Sequence, residues 1–491
     1  MHLSCKTGSL FLIEELNIFF KNWKFLNFSN KYASINKVVI DSRSVGKDNL
    51  FIAIKGENND GHKYIKQAID NGAICIICEK IPDDLNINNY NDICFIIVDN
   101  SIVALQDLAR FQRSRLQAKV IGITGNIGKT TTREMIKLAT ECFLKTEATS
   151  GNYNNHIGLP LTIVNTNTDV QCLVLEMGMN HVGEIDFLTK IAKPDIAVIT
   201  KIAPAHIGNF KDIHEIVNAK AEIFNGMTKE GVVVLDGDGE FFNDFKNIAN
   251  KKGITNIKSV GFCEKNNISI KNIEYCKDFT TQYVLSVNGH KFDCKITGFA
   301  EHNVFNSLFA FAVCDILNID LNKVVDCLAK FQIVKGRGNF EEKNISGKKI
   351  TIINDCYNSS PEALKSSIKT LAEIKKLSTK SRCVAVIGDM LELGEKSKQY
   401  HANIAKVLIE YEIDHVVCIG EDSFEIFNNL PETCNKLFFK TTDEFCGKIL
   451  SYVKNEDILL LKASHGMQFD KLIEVLNDNN DDKTKYLYFN D

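Results

Sequence analysis

Apolar residues recur along this chain at two spacings, and the alternation between them lays out its elements. Val120, Ile121 and Ile123 form a run of strand formers. After Thr124-Gly125 and Gly128-Lys129-Thr130-Thr131 the apolar positions shift to Met135, Leu138, Ala139, Cys142 and Phe143, the spacing of one helix face. The stretch reads as strand, glycine loop, helix. Upstream, residues 1 to about 100 alternate short apolar strands with loops: Asp41-Ser42-Arg43 closes a strand, and Asn59-Asp60-Gly61-His62 turns before a helix. Asp99-Asn100 breaks that pattern, helical spacing resumes at Ala104, Leu108 and Phe111, and the first boundary falls there.

From there to about residue 332 the strand, loop and helix order repeats in the manner of a parallel sheet. The strand in CLVLEMGMN carries Glu176 near its carboxyl end. Asp195 to Thr200 leads into KIAPAHIGNF, which puts His206 on a loop at the same sheet edge. Ala219 to Phe224 is expected to begin a helix with Lys220 in its first turns, and the segment after GVVVLDGDG is less regular to about residue 290. Helical spacing at Phe305, Leu308 and Ala312 closes the region. A third α/β unit starts near 333, where a strand from Ile350 ends at Asp355 and Ser360-Pro361 opens a helix. CVAVIGDM, HVVCIG and LLLKASHGM supply further strands, giving a Rossmann-like unit without G-x-G-x-x-G. The prediction is an α/β chain of three domains: a small N-terminal α/β domain (1–100), a central P-loop domain built on a parallel sheet (101–332) and a C-terminal Rossmann-like domain (333–491).

Composition adds exclusions. The 491 residues are too many for one hydrophobic core, and 58 lysines and arginines against 62 acidic residues point to no nucleic-acid or polyanion surface. No run of about 18 apolar residues offers a membrane span, and Glu14, Glu15 and Asn17 break the apolar stretch that a targeting peptide would need. A cytoplasmic location is the expectation. The 16 cysteines are scattered singly apart from Cys75 and Cys78, which share one apolar run; on a strand those two point to opposite faces, so all are expected as core thiols in a reducing compartment.

The chemistry starts at T-G-x-x-G-K-T, a short variant of the phosphate-binding loop. Gly125 and Gly128 let the backbone around Asn126 approach an anion, and the helix that follows presents its positive end. Lys129 would reach the outer phosphates and a hydroxyl of Thr130 or Thr131 would ligate Mg²⁺. Glu176, at the end of a neighbouring strand, suits the same ion. Arg43 offers a planar fork for a phosphate or carboxylate, and Asn303 and Asn306 suit a helix cap or a base-binding amide. By spacing alone, Lys220 reads as a solvated lysine and His206 as a candidate for metal or substrate.

Together DSRSVGKDNLFIAIKGENNDGH, GITGNIGKTTTREM, GNYNNHIGLPLT, EMGMNHVGEIDFL, AKAEIF, EHNVFNSLFA, GRGN, INDCYNSSPEAL, VIGDMLELGE and LLKASHGM resemble, in order and over nearly the whole chain, the Mur ligases of peptidoglycan synthesis. The resemblance implies ATP-dependent amide formation through an acyl phosphate, in the branch that joins D-alanyl-D-alanine to UDP-N-acetylmuramoyl-tripeptide. The alternative is another Mur-type or a folylpolyglutamate-type amino acid ligase. It also implies two Mg²⁺ ions and small-molecule substrates, with neither nucleic acid nor membrane insertion, in a monomer.

Position by position, Lys129 and Thr130 match the phosphate loop, and Glu176 and His206 match residues around the second metal. Lys220 matches a carbamylated lysine that helps bind it. Asn303 matches an adenine contact; Arg337 and Asp355 match third-domain contacts to ATP phosphate and ribose. Ser42 and Arg43 fall in the UDP-binding part, and Asn152, Asn154 and Asn155 in the loop facing the muramoyl peptide. The third-domain motif commonly reads D-D-x-Y-N-A-N-P. Here Asp355, Tyr357 and Asn358 keep it, while Asn354 replaces the first acid and Ser359-Ser360 replace Ala-Asn. His465 stands where arginine is usual, and His156 replaces a usual acid.

Overall fold

The computed structural model describes residues 9–57, 59–203, 210–276, 278–299, 301–377, 381–413 and 415–481. Three sheets of five, nine and six strands organise it, with one two-stranded ribbon beside the first. In the N-terminal sheet the order is Lys24–Leu26, Cys94–Ile97, Ala73–Cys78, Asn49–Ile52, Lys37–Val39, parallel except for the first pair. Cys75 packs on one face of this sheet with Leu50 and Ile77, and Cys78 on the other with Phe51 and Ile76. Every described cysteine is a free thiol, but not all are core thiols as expected: Cys142 and Cys263 are exposed, and Cys276, Cys327 and Cys446 are half-buried.

The nine-stranded sheet carries the phosphate loop. Its parallel core, Thr146–Ala148, Cys172–Glu176, Lys119–Thr124, Ile196–Ile199 and Val232–Asp236, is nearly continuous apolar sequence because helices cover both faces. The helices Lys129–Glu141 and Glu301–Ile316 lie on one face with Ile121, Ile123 and Val198; Leu173, Ala197 and Leu188 belong to the cluster on the other. Glu176 pairs with Ile123, and Ile199 with Thr124, so these strands end at one edge. That edge is where loops of an open parallel sheet gather around ligands.

Two local expectations change. The segment read as less regular is Asn256–Gly261 followed by an antiparallel meander, Ile268–Cys276, Thr280–Val287 and His290–Thr297. Only one face of the meander is buried, so charges such as Lys291, Asp293 and Lys295 interrupt the apolar pattern. AKAEIF does not begin a helix. The helix runs Ile213–Ala221, opened by Asp212, whose carboxylate accepts from the Glu215 N–H at 2.9 Å, and Lys220 sits in its last turn before a 3₁₀ segment, Glu222–Gly226.

The C-terminal sheet has the order Asn339–Ile345, Lys348–Asn354, Ile458–Lys462, Cys383–Gly388, His415–Ile419, Asn435–Phe439, parallel after an initial hairpin. Pro361 is the first residue of the helix Pro361–Leu377, where its missing N–H costs nothing. Among the described residues no helix is long and apolar enough to cross a membrane.

Candidate active site

The loop between Thr124 and Lys129 turns through two left-handed glycines, Gly125 at φ +142° and Gly128 at φ +89°. A Cβ on Gly128 would lie 2.5 Å from Asn306 Oδ1, so an amide on the long buried helix closes the turn from behind. The N–H groups of Asn126 and Ile127 donate to the Lys201 carbonyl, at 3.0 and 3.2 Å. Those two donors are therefore spent on the neighbouring strand, which leaves the first turn of the helix at Lys129, whose N–H groups have no partner within the helix, as the place where an anion would find donors.

Lys129 folds back on the loop, its Nζ donating to the carbonyls of Gly125 (2.9 Å) and Asn126 (3.2 Å). Burial lowers its affinity for the proton; the Glu176 charge opposes that shift and the Arg337 charge adds to it. An anion arriving between Lys129 and Arg337 relieves their repulsion.

Glu176 is 2% exposed and both its oxygens accept hydrogen bonds. Oε2 accepts from Thr130 Oγ1 and Arg133 Nη1, both at 3.1 Å, and Oε1 accepts from Asn154 Nδ2 at 2.9 Å. Arg133, 3% exposed, also donates to the Gly151 carbonyl at 2.7 Å and to Glu134. This arginine is a member of the site that the sequence reading missed. Its signal was a charge on the buried side of an amphipathic helix. Because Arg133 neutralises a carboxylate away from water, Arg133→Met should destabilise the protein by about 3–5 kcal/mol, measured by chemical denaturation.

The C-terminal unit brings in Arg337, whose guanidinium lies 3.8 Å over the Tyr357 ring. Burial is the main influence lowering its pKa, with Tyr357 and Asp355 opposing. Asp355 Oδ2 is 2.9 Å from Lys462 Nζ and accepts from Ser367 Oγ at 2.6 Å. Lys462 ends an otherwise apolar strand, ILLLK, which was the clue to it.

Asn126, Lys129, Thr130, Thr131, Glu176, Asn154, Arg337, Asp355, Tyr357 and Asn358 all face one cavity of about 1020 Å³. A second cavity of about 530 Å³ shares Thr130, Arg337, Tyr357 and Asn358 with it and adds Arg133, Asn152 and His465. Other candidates lie elsewhere. Ser42 is buried against Gln67 (2.8 Å), Arg43 is exposed and paired with Asp41 (2.7 Å), and neither lines either of these two cavities. Asn155 Oδ1 accepts from the N–H groups of Ile157 (3.1 Å) and Gly158 (2.8 Å), a turn-stabilising role. Asn303 is 1% exposed, and among the described residues neither its amide oxygen nor its nitrogen has a partner. His206 lies outside the described residues.

Lys220 is 2% exposed, and its amine is pushed well below the usual lysine range, first by burial and then by the Lys129 charge; Glu176, Glu184 and Glu222 pull the other way. It is buried, not the solvated lysine that spacing alone suggests; it lines neither of the two cavities, and it feels the charges of Lys129 and Glu176.

Three family models match the chain: the catalytic domain of the Mur ligase family at 34–113, the Mur ligase middle domain at 123–314, and the Mur ligase glutamate ligase domain at 336–465. The UDP-N-acetylmuramoyl-tripeptide–D-alanyl-D-alanine ligase of Rickettsia prowazekii is 34% identical over 441 residues, 89% of this chain and 94% of that one. The chain belongs to the Mur ligase family. The enzyme of the same name from Bacillus subtilis is 30% identical over 446 residues, covering 90% and 93% of the two chains. Among solved structures, MurF from Acinetobacter baumannii superimposes with a TM-score of 0.82 at 27% identity, over 95% of this Mur ligase and 98% of that chain. MurF from Thermotoga maritima in complex with ADP gives 0.76 at 28% identity, over 90% and 97%.

The implied Mg²⁺ has a donor set to test. Among the described residues no three His, Cys, Asp or Glu side chains converge. The protein offers this Mur ligase's metal a carboxylate, Glu176, beside a hydroxyl, Thr130, at the start of the phosphate-loop helix. These are hard oxygen donors, and few of them, which fits an ion that shares its shell with nucleotide phosphates and water.

Proposed function

We propose that this Mur ligase joins D-alanyl-D-alanine to UDP-N-acetylmuramoyl-tripeptide with ATP as the second substrate, giving the UDP-muramoyl-pentapeptide of peptidoglycan synthesis. The observation that carries the reading is the shared cavity: phosphate-loop residues from the central unit face Arg337 and Asp355 from the C-terminal unit across one space. An acid cannot be attacked by an amine until its oxygen becomes a leaving group, so the tripeptide carboxylate first takes the γ-phosphoryl group of ATP. Lys129 and Arg337 offset the repulsion between carboxylate and phosphate. The amine of D-alanyl-D-alanine then attacks the acyl phosphate, and phosphate leaves from the tetrahedral species.

Two Mg²⁺ ions, held by Thr130, Glu176, His206 and a carbamylated Lys220 together with the phosphates, would supply further charge neutralisation when bound. Asn303 would read the adenine: an amide with a free donor and a free acceptor matches the donor and acceptor edge of that base. Asp355 would hold the ribose, and Tyr357, Asn358, Asn152 and Asn154 would line the acceptor end. Ser42 and Arg43 would contact the UDP moiety, the Asp41–Arg43 pair being exposed and cheap to exchange. We further propose domain bounds at 1–100, 101–332 and 333–491, a monomer, and a cytoplasmic location.

Mass spectrometry of a reaction containing ATP, the UDP-tripeptide and D-alanyl-D-alanine tests the reading. It expects one pentapeptide product per ADP released, and little ADP when either acceptor or dipeptide is omitted. ADP release that ignores both, or efficient joining of a single amino acid instead of the dipeptide, would overturn it.

A further inference from the structure

The strand Asn339–Ile345 turns an unusual face inward. Its buried positions are Glu341, Lys343 and Ile345, with Glu341 5% and Lys343 4% exposed, where an apolar strand would bury three hydrophobic side chains. Lys343 Nζ lies 3.2 Å from Glu341 Oε2. A buried ion pair of this kind is seldom more stable than well-packed apolar residues, so its energetics alone do not account for it.

What the pair holds is more specific. Glu341 Oε1 accepts from Asn339 Nδ2 at 2.9 Å and from Asn354 Nδ2 at 3.3 Å. Asn339 Oδ1 in turn accepts from the N–H of Gly336 at 2.7 Å, the residue next to Arg337. Asn354, 1% exposed, precedes Asp355; its Oδ1 accepts from Cys356 Sγ at 2.9 Å, and its carbonyl accepts from the Gly338 N–H at 2.8 Å. The carboxylate therefore anchors, through two amides, the turn that presents Arg337 and the strand end that presents Asp355.

We propose that Glu341 is a positioning residue, which fixes Arg337 and Asp355 relative to each other for nucleotide binding and requires a neutral donor at position 354. The Asn354 amide meets that requirement: its nitrogen donates to the carboxylate while its oxygen takes the thiol hydrogen. An aspartate there would set a second carboxylate against Glu341 Oε1, while Lys343 is engaged at Oε2. The inference rests on the reading of Arg337 and Asp355 as nucleotide contacts.

The test is a charge exchange. Asn354→Asp should lower kcat/KM for ATP by about tenfold or more, and adding Glu341→Gln to it should restore most of that loss by returning one acid and one amide to the pair. The KM for D-alanyl-D-alanine should change little in either protein. Glu341→Gln alone, nearly isosteric and retaining Lys343, gives a second reading should Asn354→Asp fail to fold: it should raise the KM for ATP with a smaller effect on kcat. Unchanged ATP kinetics in Asn354→Asp or Glu341→Gln, or a double variant no better than Asn354→Asp, would overturn the proposal. Binding of a non-hydrolysable ATP analogue to Arg337→Ala separates the two levels. If that substitution leaves the affinity unchanged, the nucleotide reading of Arg337 fails, whatever the exchange shows.

Discussion

Lys129→Ala should lower turnover by at least about a hundredfold while leaving the protein folded. The ammonium is held by two loop carbonyls and feels the positive charge of Arg337. Neither arrangement contributes much to the fold, because alanine removes the charge together with its repulsion. On the proposed mechanism the charge would act when the γ-phosphoryl group moves from ATP to the acceptor carboxylate and negative charge accumulates between them. Removing one preorganised donor from a site of this kind typically costs about 10²–10³ in rate. Nucleotide affinity should fall less than turnover, since the helix N-terminus at Thr130 and Thr131 still meets the phosphates. Steady-state kinetics with a parallel titration of a non-hydrolysable analogue checks both halves. Near-normal turnover would show that phosphate is bound elsewhere.

The parts of this site that the sequence disclosed are those where chemistry and chain order coincide. Gly125, Gly128 and Lys129 are adjacent in sequence because a tight turn into a helix needs them adjacent, and Glu176 ends an apolar strand that has no other reason to stop on an acid. Arg133 and Lys462 carry only a weak local signal, a charge in an otherwise apolar setting; what each does is decided by its partner, Glu176 or Asp355, 43 and 107 residues away, which spacing does not report. The meander between Ile268 and Thr297 was obscured by half-burial, which scatters charges through strands. Lys220 was misplaced by one helix because the cap at Asp212 lies seven residues before AKAEIF and was not used. The anchoring of Arg337 by Glu341 runs through side-chain amides, and no residue spacing reports such bonds.

Lys220→Ala should lower turnover by about a hundredfold or more, and short carboxylic acids such as formate or acetate should restore part of it. Burial disfavours the lysine's ammonium form, and Lys129 disfavours it further, so the folded protein holds a neutral amine at lower pH than an exposed lysine would. The sign follows from linkage. The unfolded chain keeps this proton up to about pH 10.4 and the folded chain releases it sooner, so folding gains stability as pH rises through that interval. A neutral amine is also the form that adds to carbon dioxide, forming an N–C bond and releasing a proton. On the proposed carbamylation, Lys220 would place an anion within reach of the Lys129 charge and would offer oxygen donors of the kind Mg²⁺ takes. Alanine would remove the amine and with it the proposed carbamate, and rescue expects a small carboxylate to take the vacated volume. Activity assays across added formate and acetate, together with carbon-13 NMR of the protein in labelled bicarbonate, decide the matter. A full-sized loss without rescue and without a carbamate signal would make Lys220 a buried structural amine; normal activity would remove it from the site altogether.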